Sequence, residues 1–336
     1  MQESMCPWNV IAVLASMFSG THSKHGLHSA AMGRSQLDFA PCRIDKGSTS
    51  HVVAGTQGEL VLVDSEGAIL MPQTTPFPAP TIDGLVMGNK WFGIWMDREL
   101  GQAIMGSLPL DLEWSDGPTR EDLRMSMNGD SEEVVPSNSI WNKILDSEPM
   151  KIGRFEERVV FCTISGTYMI DSDAGLVWGS LPPRWPEISD LGLMDNVVGV
   201  VPFEGSLAIW SQAGGISVVD PVDGTELYSR VIDFGDKISG TIYSEDGGWF
   251  VMLHGGSVAV MEKIEGEFSR FRTFGPVFDA EFADGSWNWT GWRHDGRMAD
   301  GILSCKERNE IGVALIRDLV LTNEGKWSDF RAIRNP

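Results

Sequence analysis

Apolar residues along this chain come in short runs separated by turns rich in Gly, Asp, Asn and Ser, and no long stretch sustains the 3.6-residue period of an amphipathic helix. Within the runs, side chains alternate as they do in strands covered by a neighbouring layer. The clearest passage, VVFCTISGTYMIDSDAGLVW at residues 159–178, reads as strand, Gly turn, strand, Asp, Gly turn and a third strand ending in Trp. The phrase returns as HVVAGTQGELVLVDSEGAIL at 51–70 and LAIWSQAGGISVVDPVDGTELY at 207–228.

Aligned, these copies place Gly58, Gly166 and Gly215 in the first turn, where a tight strand connection favours residues that tolerate positive φ. Asp64, Asp171 and Asp220 close the second strand, a position from which an Asp oxygen caps backbone N–H groups of the next turn. Gly67, Gly175 and Gly224 mark that turn. From the first copy to the second both glycines shift by 108 residues, and from the second to the third by 49. The larger step is about twice the smaller, which predicts a degenerate copy between, and KWFGIWMDRELGQAIMGSLPLDLEW at 90–114 supplies it. Copies at 247–268 and 311–330 bring the legible number to six.

Each copy follows another apolar segment, such as NVVGVVPF from Asn196, so one unit holds four strands. A lone four-stranded sheet cannot cover both its faces. Stacking such sheets radially covers them and leaves only short edges, whereas a solenoid needs shorter, more regular rungs. The pattern therefore predicts an all-β fold, a β-propeller of four-stranded blades, seven in number, with six or eight as the alternatives. The strands of a seventh blade are assigned to the first forty-odd residues, where VIAVLASMF at 10–18 is the expected ring-closing strand. The division that follows is an N-terminal segment at 1–30 and a single propeller at 31–336.

The succession of strand, Gly turn, strand, Asp, Gly turn and aromatic resembles the quinoprotein-type, or PQQ-like, propeller repeat, with the WD40-like repeat a close relative. The resemblance runs over about residues 50 to 330 and is close at 159–178 and 207–228. It implies that the aromatic residue docks on the adjacent blade and locks the ring, a role that falls to Trp178 and Tyr228. Met71 stands near that position in the first copy, which departs from the pattern. Quinoprotein enzymes also use a carboxylate-bound calcium and a catalytic Asp, and many have an adjacent cysteine pair. Here no two cysteines adjoin, and the aligned Asp residues match the turn position, so neither a cofactor nor a metal is expected.

Charge narrows the partners. With 47 acidic against 26 basic side chains, the net charge of −21 opposes contact with phosphate backbones and anionic lipid. Four scattered cysteines, without a CxxC, give neither a disulfide framework nor a zinc site, and point to a reducing, cytoplasmic setting. A secreted or periplasmic location is the lesser alternative, because residues 10–18 have the length of a signal-peptide core. No basic residue precedes that run, and it is too short to span a bilayer. No membrane span is expected elsewhere.

Motifs of catalysis are missing: there is no GxSxG elbow, HExxH or phosphate-binding loop. His22, His25 and His28 lie close enough to suggest a metal, but they lack a fourth ligand and read as a solvated loop. The segment ADGSWNWTGWRHDGR at 283–297 has two readings. Trp287 and Trp289 would share one strand face and serve as core. Together with Trp292, Arg293 and Arg297 they also have the composition of a binding hot spot, which makes this the expected contact for a protein partner. The functional expectation is a non-catalytic platform for protein–protein interaction, a monomer or part of a hetero-complex. The alternative is a propeller enzyme or binder of a small molecule or glycan in the central channel; convergent carboxylates or His there would favour it.

Overall fold

A computed structural model describes residues 35–129 and 133–332 and shows seven antiparallel sheets in a ring. Blade 1 contains β1 (Pro41–Lys46), β2 (Ser50–Gly55) and β3 (Leu60–Asp64); blade 2 contains β4 (Thr81–Met87), β5 (Lys90–Asp97), β6 (Gln102–Pro109) and β7 (Trp141–Ile144). A helix, α1 (Arg120–Met127), interrupts the connection between β6 and β7. Blade 3 contains β8 (Pro149–Phe155), β9 (Arg158–Thr163), β10 (Thr167–Ile170) and β11 (Leu176–Ser180). The short helix α2 (Pro186–Asp190) leads to blade 4, with β12 (Val197–Phe203), β13 (Ser206–Ser211), β14 (Gly215–Val219) and β15 (Glu226–Val231). Blade 5 contains β16 (Ile238–Ser244), β17 (Gly248–Leu253), β18 (Ser257–Met261) and β19 (Ser269–Arg272). Blade 6 contains β20 (Val277–Ala283), β21 (Ser286–Gly291), β22 (His294–Ala299) and β23 (Ile302–Glu307), and blade 7 contains β24 (Gly312–Ile316), β25 (Leu319–Thr322) and β26 (Trp327–Asp329). In each sheet the strands lie in chain order.

The first strand of each blade packs on the first strand of the next, and β24 packs on β1, which closes the circle. All seven inner strands carry a bulge one residue after they begin, as between Pro41 and Arg43 or between Val277 and Asp279. A bulge bends the strand and raises its twist, which suits the crowded centre of a ring. Blade 1 is extended at its outer side by isolated bridges from Leu60 to Thr74 and from Val63 to Ile69.

Alternation decides what fills the spaces between blades. Side chains on opposite faces of a strand enter opposite seams, so each seam receives one face from each neighbour. Six apolar clusters fill six seams, from blades 1 and 2 round to blades 5 and 6, and from blade 7 to blade 1. The seam between blades 6 and 7 has no such cluster among the described residues.

The repeated turn behaves as its sequence indicates. Oδ1 of Asp64 accepts from the N–H groups of Glu66 at 2.8 Å and Ala68 at 2.9 Å, and Oδ1 of Asp171 accepts from Asp173 at 2.9 Å and Gly175 at 2.7 Å. Asp220 takes the N–H of Val222 at 2.8 Å. Trp178 docks on the next blade, its Nε1 donating to Pro221 O at 2.9 Å, and a Cβ added to Gly224 would sit 2.7 Å from its ring. Trp141 repeats the contact one blade earlier, donating to Ser172 O at 3.0 Å. Tyr228 packs half-buried against the cluster between blades 4 and 5.

Three details depart from the sequence reading. Gly166, expected in the first turn of blade 3 for its tolerance of positive φ, does not adopt one. The glycine with positive φ in the turn of blade 4 is Gly214 (φ +94°), one residue before Gly215, and in blade 3 the left-handed residue is Ala174 (φ +66°) rather than Gly175. The blade that the repeat alignment overlooked is blade 6, at 277–307, which contains the Trp-rich segment. The expected ring-closing strand at 10–18 and the histidines at 22, 25 and 28 lie outside the described residues.

Candidate functional site

Blade 6 gathers the five residues expected to meet a partner. Trp287 and Trp289 are on the face of β21 turned towards blade 5, 2% and 0% exposed, with rings 4.9 and 5.5 Å from that of Phe250. They are core, and their burial leaves no surface for a partner. Trp292 and Arg293 form the turn between β21 and β22, where Arg293 takes φ +56° and lays its guanidinium 6.0 Å from the Trp292 ring centre. Phe274, 61% exposed, stands in the connection from blade 5, beside His294. His294 itself is buried: Trp289 Nε1 donates to its Nε2 at 3.4 Å, which leaves Nδ1–H to donate to Trp292 O at 3.0 Å. Burial pulls its pKa down.

The opposite face of blade 6 turns to blade 7 and is polar. Asp295 Oδ1 accepts from Thr290 Oγ1 at 2.7 Å and from Arg308 Nη1 at 2.9 Å, and its Oδ2 accepts from the Arg331 N–H at 2.8 Å. Arg308 Nη2 donates to Ser328 Oγ in β26. Both side chains of the Asp295–Arg308 pair are fully buried. Beside them a cleft of about 580 Å³ opens, bordered by Glu281, Asn288 and Arg297 of blade 6 and by Arg317, Phe330 and Arg331 of blade 7. Glu281, Asn288 and Arg297 lie in register across β20, β21 and β22. Thus Arg297 faces the cleft, away from Trp287 and Trp289. Burial pushes the Glu281 carboxyl up, against the pull of Lys46.

The inner strands carry carboxylates, each already engaged. Asp45 pairs with Arg43 at 2.6 Å and accepts from Trp91 Nε1 at 2.7 Å; Asp83 pairs with Lys151 at 2.9 Å and takes the Ile152 N–H at 3.0 Å. Asp279 pairs with Lys46 at 2.7 Å and takes the Leu315 N–H at 2.8 Å. These bonds stitch neighbouring blades. Among the described residues no group of three His, Cys, Asp or Glu side chains is arranged to hold a metal ion.

The outside of the ring is uneven, its exposed apolar residues lying on outermost strands, such as Ile144, Leu176, Val177 and Leu227, and on the connections between strands. Of 19 large apolar side chains exposed among the described residues, 15 lie between Leu112 and Leu227, on blades 2, 3 and 4. The connection from blade 3 to blade 4 contributes Leu181 (85% exposed), Leu191 (74%), Leu193 and Met194, and is anchored by the buried Trp185 and Ile188. Sequence reasoning missed this wall because alternation within strands does not reveal which residues of a long connection remain in water. The Leu-rich stretch at 181–194, between two strands and without a period, was the available signal.

No family model and no curated protein sequence matches the chain. Among solved structures it is similar to BamB from Moraxella catarrhalis, with 12% identity and a TM-score of 0.52 over 84% of this chain and 82% of that one. It is similar to Saccharomyces cerevisiae Sqt1, with 11% identity and a TM-score of 0.55 over 85% and 82%, and to the WD40 β-propeller domain of Doa1, with 10% identity and 0.56 over 86% and 95%. At these identities the likeness concerns the fold, and with the ring of seven blades it makes the chain a seven-bladed β-propeller, similar in fold to PQQ-like and WD40 propellers.

Proposed function

We propose that this propeller is a non-catalytic docking platform for another protein, with the outer wall of blades 2 to 4 as its main contact. The observation that carries the reading is the one-sided distribution of exposed apolar residues, since apolar surface gathered on one side marks interaction sites and scattered apolar residues do not. The WD40-like fold supports it by analogy alone. The rim of blade 6 supplies a second contact on the strength of the exposed Phe274 and Arg293 and the half-buried Trp292 beside them. Carboxylates on the inner strands recommend the alternative, a ligand in the channel. Their pairing with Arg43, Lys151 and Lys46 speaks for a structural role instead. A cytoplasmic location belongs to this proposal, supported by the scattered cysteines, of which Cys42 and Cys162 are buried free thiols.

Affinity purification from the native cell tests the platform. Leu181→Glu with Leu191→Glu is expected to release the co-purifying protein while the unfolding temperature holds, because both side chains are in water. Retention of the partner by this variant overturns the wall as the contact, and loss on Trp292→Ala with Arg293→Ala moves the contact to blade 6.

A further inference from the structure

One outer edge of the ring differs from the rest. The outermost strand of five of the other sheets carries charge, namely Lys143 in β7, Arg230 in β15, Arg272 in β19, Lys306 in β23 and Asp329 in β26, and in blade 1 the outer side of β3 is covered by the bridges to Thr74 and Ile69. Charged side chains on an edge keep other chains from adding to the sheet. β11, with the sequence LVWGS, has none. Its backbone pairs with β10 and makes no other backbone hydrogen bond among the described residues. Leu176 is 66% exposed and Val177 39%, while Trp178 turns inward to its dock on blade 4.

We propose that β11 is a strand-acceptor site: it takes an extended segment of a partner protein, apolar at alternate positions and with Lys or Arg between them. This inference rests on the platform reading and gives the wall its mode of recognition. The unpaired backbone calls for an extended segment, because N–H and C=O groups spaced along a strand are matched by another strand. The apolar positions are called for by Leu176, Val177 and the adjoining Leu181. Basic residues are called for by the net charge of −21 and by Glu187 and Asp190, both exposed on the connection that follows. A second copy of this chain, bearing the same charge, would be repelled.

The test uses the full chain and a synthetic ten-residue peptide of alternating Val and Lys. Saturating peptide is expected to slow amide hydrogen exchange across Leu176–Ser180 by about tenfold or more, the protection a paired edge acquires. The same peptide with a central Pro, equal in charge but unable to pair, is expected to leave those amides unchanged. Val177→Lys, or Ser180→Lys should the first variant unfold, supplies the charge that the other edges carry and is expected to abolish the slowing. Unchanged exchange with the alternating peptide, or equal slowing with its Pro-interrupted form, overturns the proposal. The native partner separates the two readings. Its retention by Val177→Lys together with its loss on Leu191→Glu with Met194→Glu overturns strand pairing and leaves the platform standing; retention by both overturns the wall as the contact as well, and retention also by Trp292→Ala with Arg293→Ala overturns the platform.

Discussion

Trp178 buries its rings against Gly224 and still satisfies its indole N–H, because the carbonyl it meets belongs to Pro221, the residue after the capping Asp220. One turn therefore serves two blades: its Asp holds the backbone in shape, and its carbonyl and glycine receive the neighbour's aromatic. Trp178→Ala is expected to cost about 3–5 kcal/mol, and Trp178→Phe, which keeps much of the packing and loses the bond, about 1 kcal/mol; urea unfolding measures both. His294 yields a pH prediction. Burial holds it, along with His51 and His254, below the ordinary value of 6.5. In the unfolded chain these imidazoles take up protons as the pH falls through that value, whereas the folded protein resists them. Their contribution to stability is therefore complete above pH 6.5 and is lost as the pH drops towards the depressed folded values. The unfolding temperature should decline on acidification across this window, and His294→Asn should lessen the decline. A second proton on His294 would have to point its Nε2 at the Trp289 N–H, two donors face to face.

At the scale of elements, the repeat was legible wherever a blade kept its capping Asp and turn glycine, as blades 1, 3 and 4 do with Asp64, Asp171 and Asp220. Blade 6 was hidden because its middle strands, SWNWTG and HDGRMA, alternate Trp and Met with polar residues that face the polar seam, so its sequence resembles a loop. The same disguise joined Trp287 and Trp289 to Trp292, Arg293 and Arg297 as one apparent patch; period-two geometry divides them between two faces and a turn. Stability measurements expose the division. Trp289→Ala is expected to lose about 3–5 kcal/mol, whereas Trp292→Ala with Arg293→Ala should stay within about 0.5 kcal/mol per substitution. Equal losses would place the turn in the core.

For the whole molecule, spacing gave six blades and the seventh was expected in the first forty-odd residues, whereas it is formed by Val277–Glu307. The identity of the polar seam was not legible either, because it depends on which faces meet across distant parts of the chain. Asp295→Ala should cost about 3–5 kcal/mol by leaving Arg308 buried without its partner, whereas Asp295→Ala combined with Arg308→Met should recover most of that loss. Chemical denaturation of the two variants makes the comparison. The seam also bears on how the ring assembles. Blade 7 is the last blade to leave the ribosome, and the neighbour synthesised just before it offers polar groups, which give little drive to collapse until they are fully paired. Its apolar neighbour is blade 1, made first: Val313, Leu321 and Trp327 pack with Val53 and Val61. The final blade is thus recruited by the first, a contact of the greatest sequence separation the ring contains, and such contacts slow folding. Refolding should show a late phase reported by Trp327, and weakening the apolar contact with Val61→Ala should slow that phase more than Asp295→Asn does.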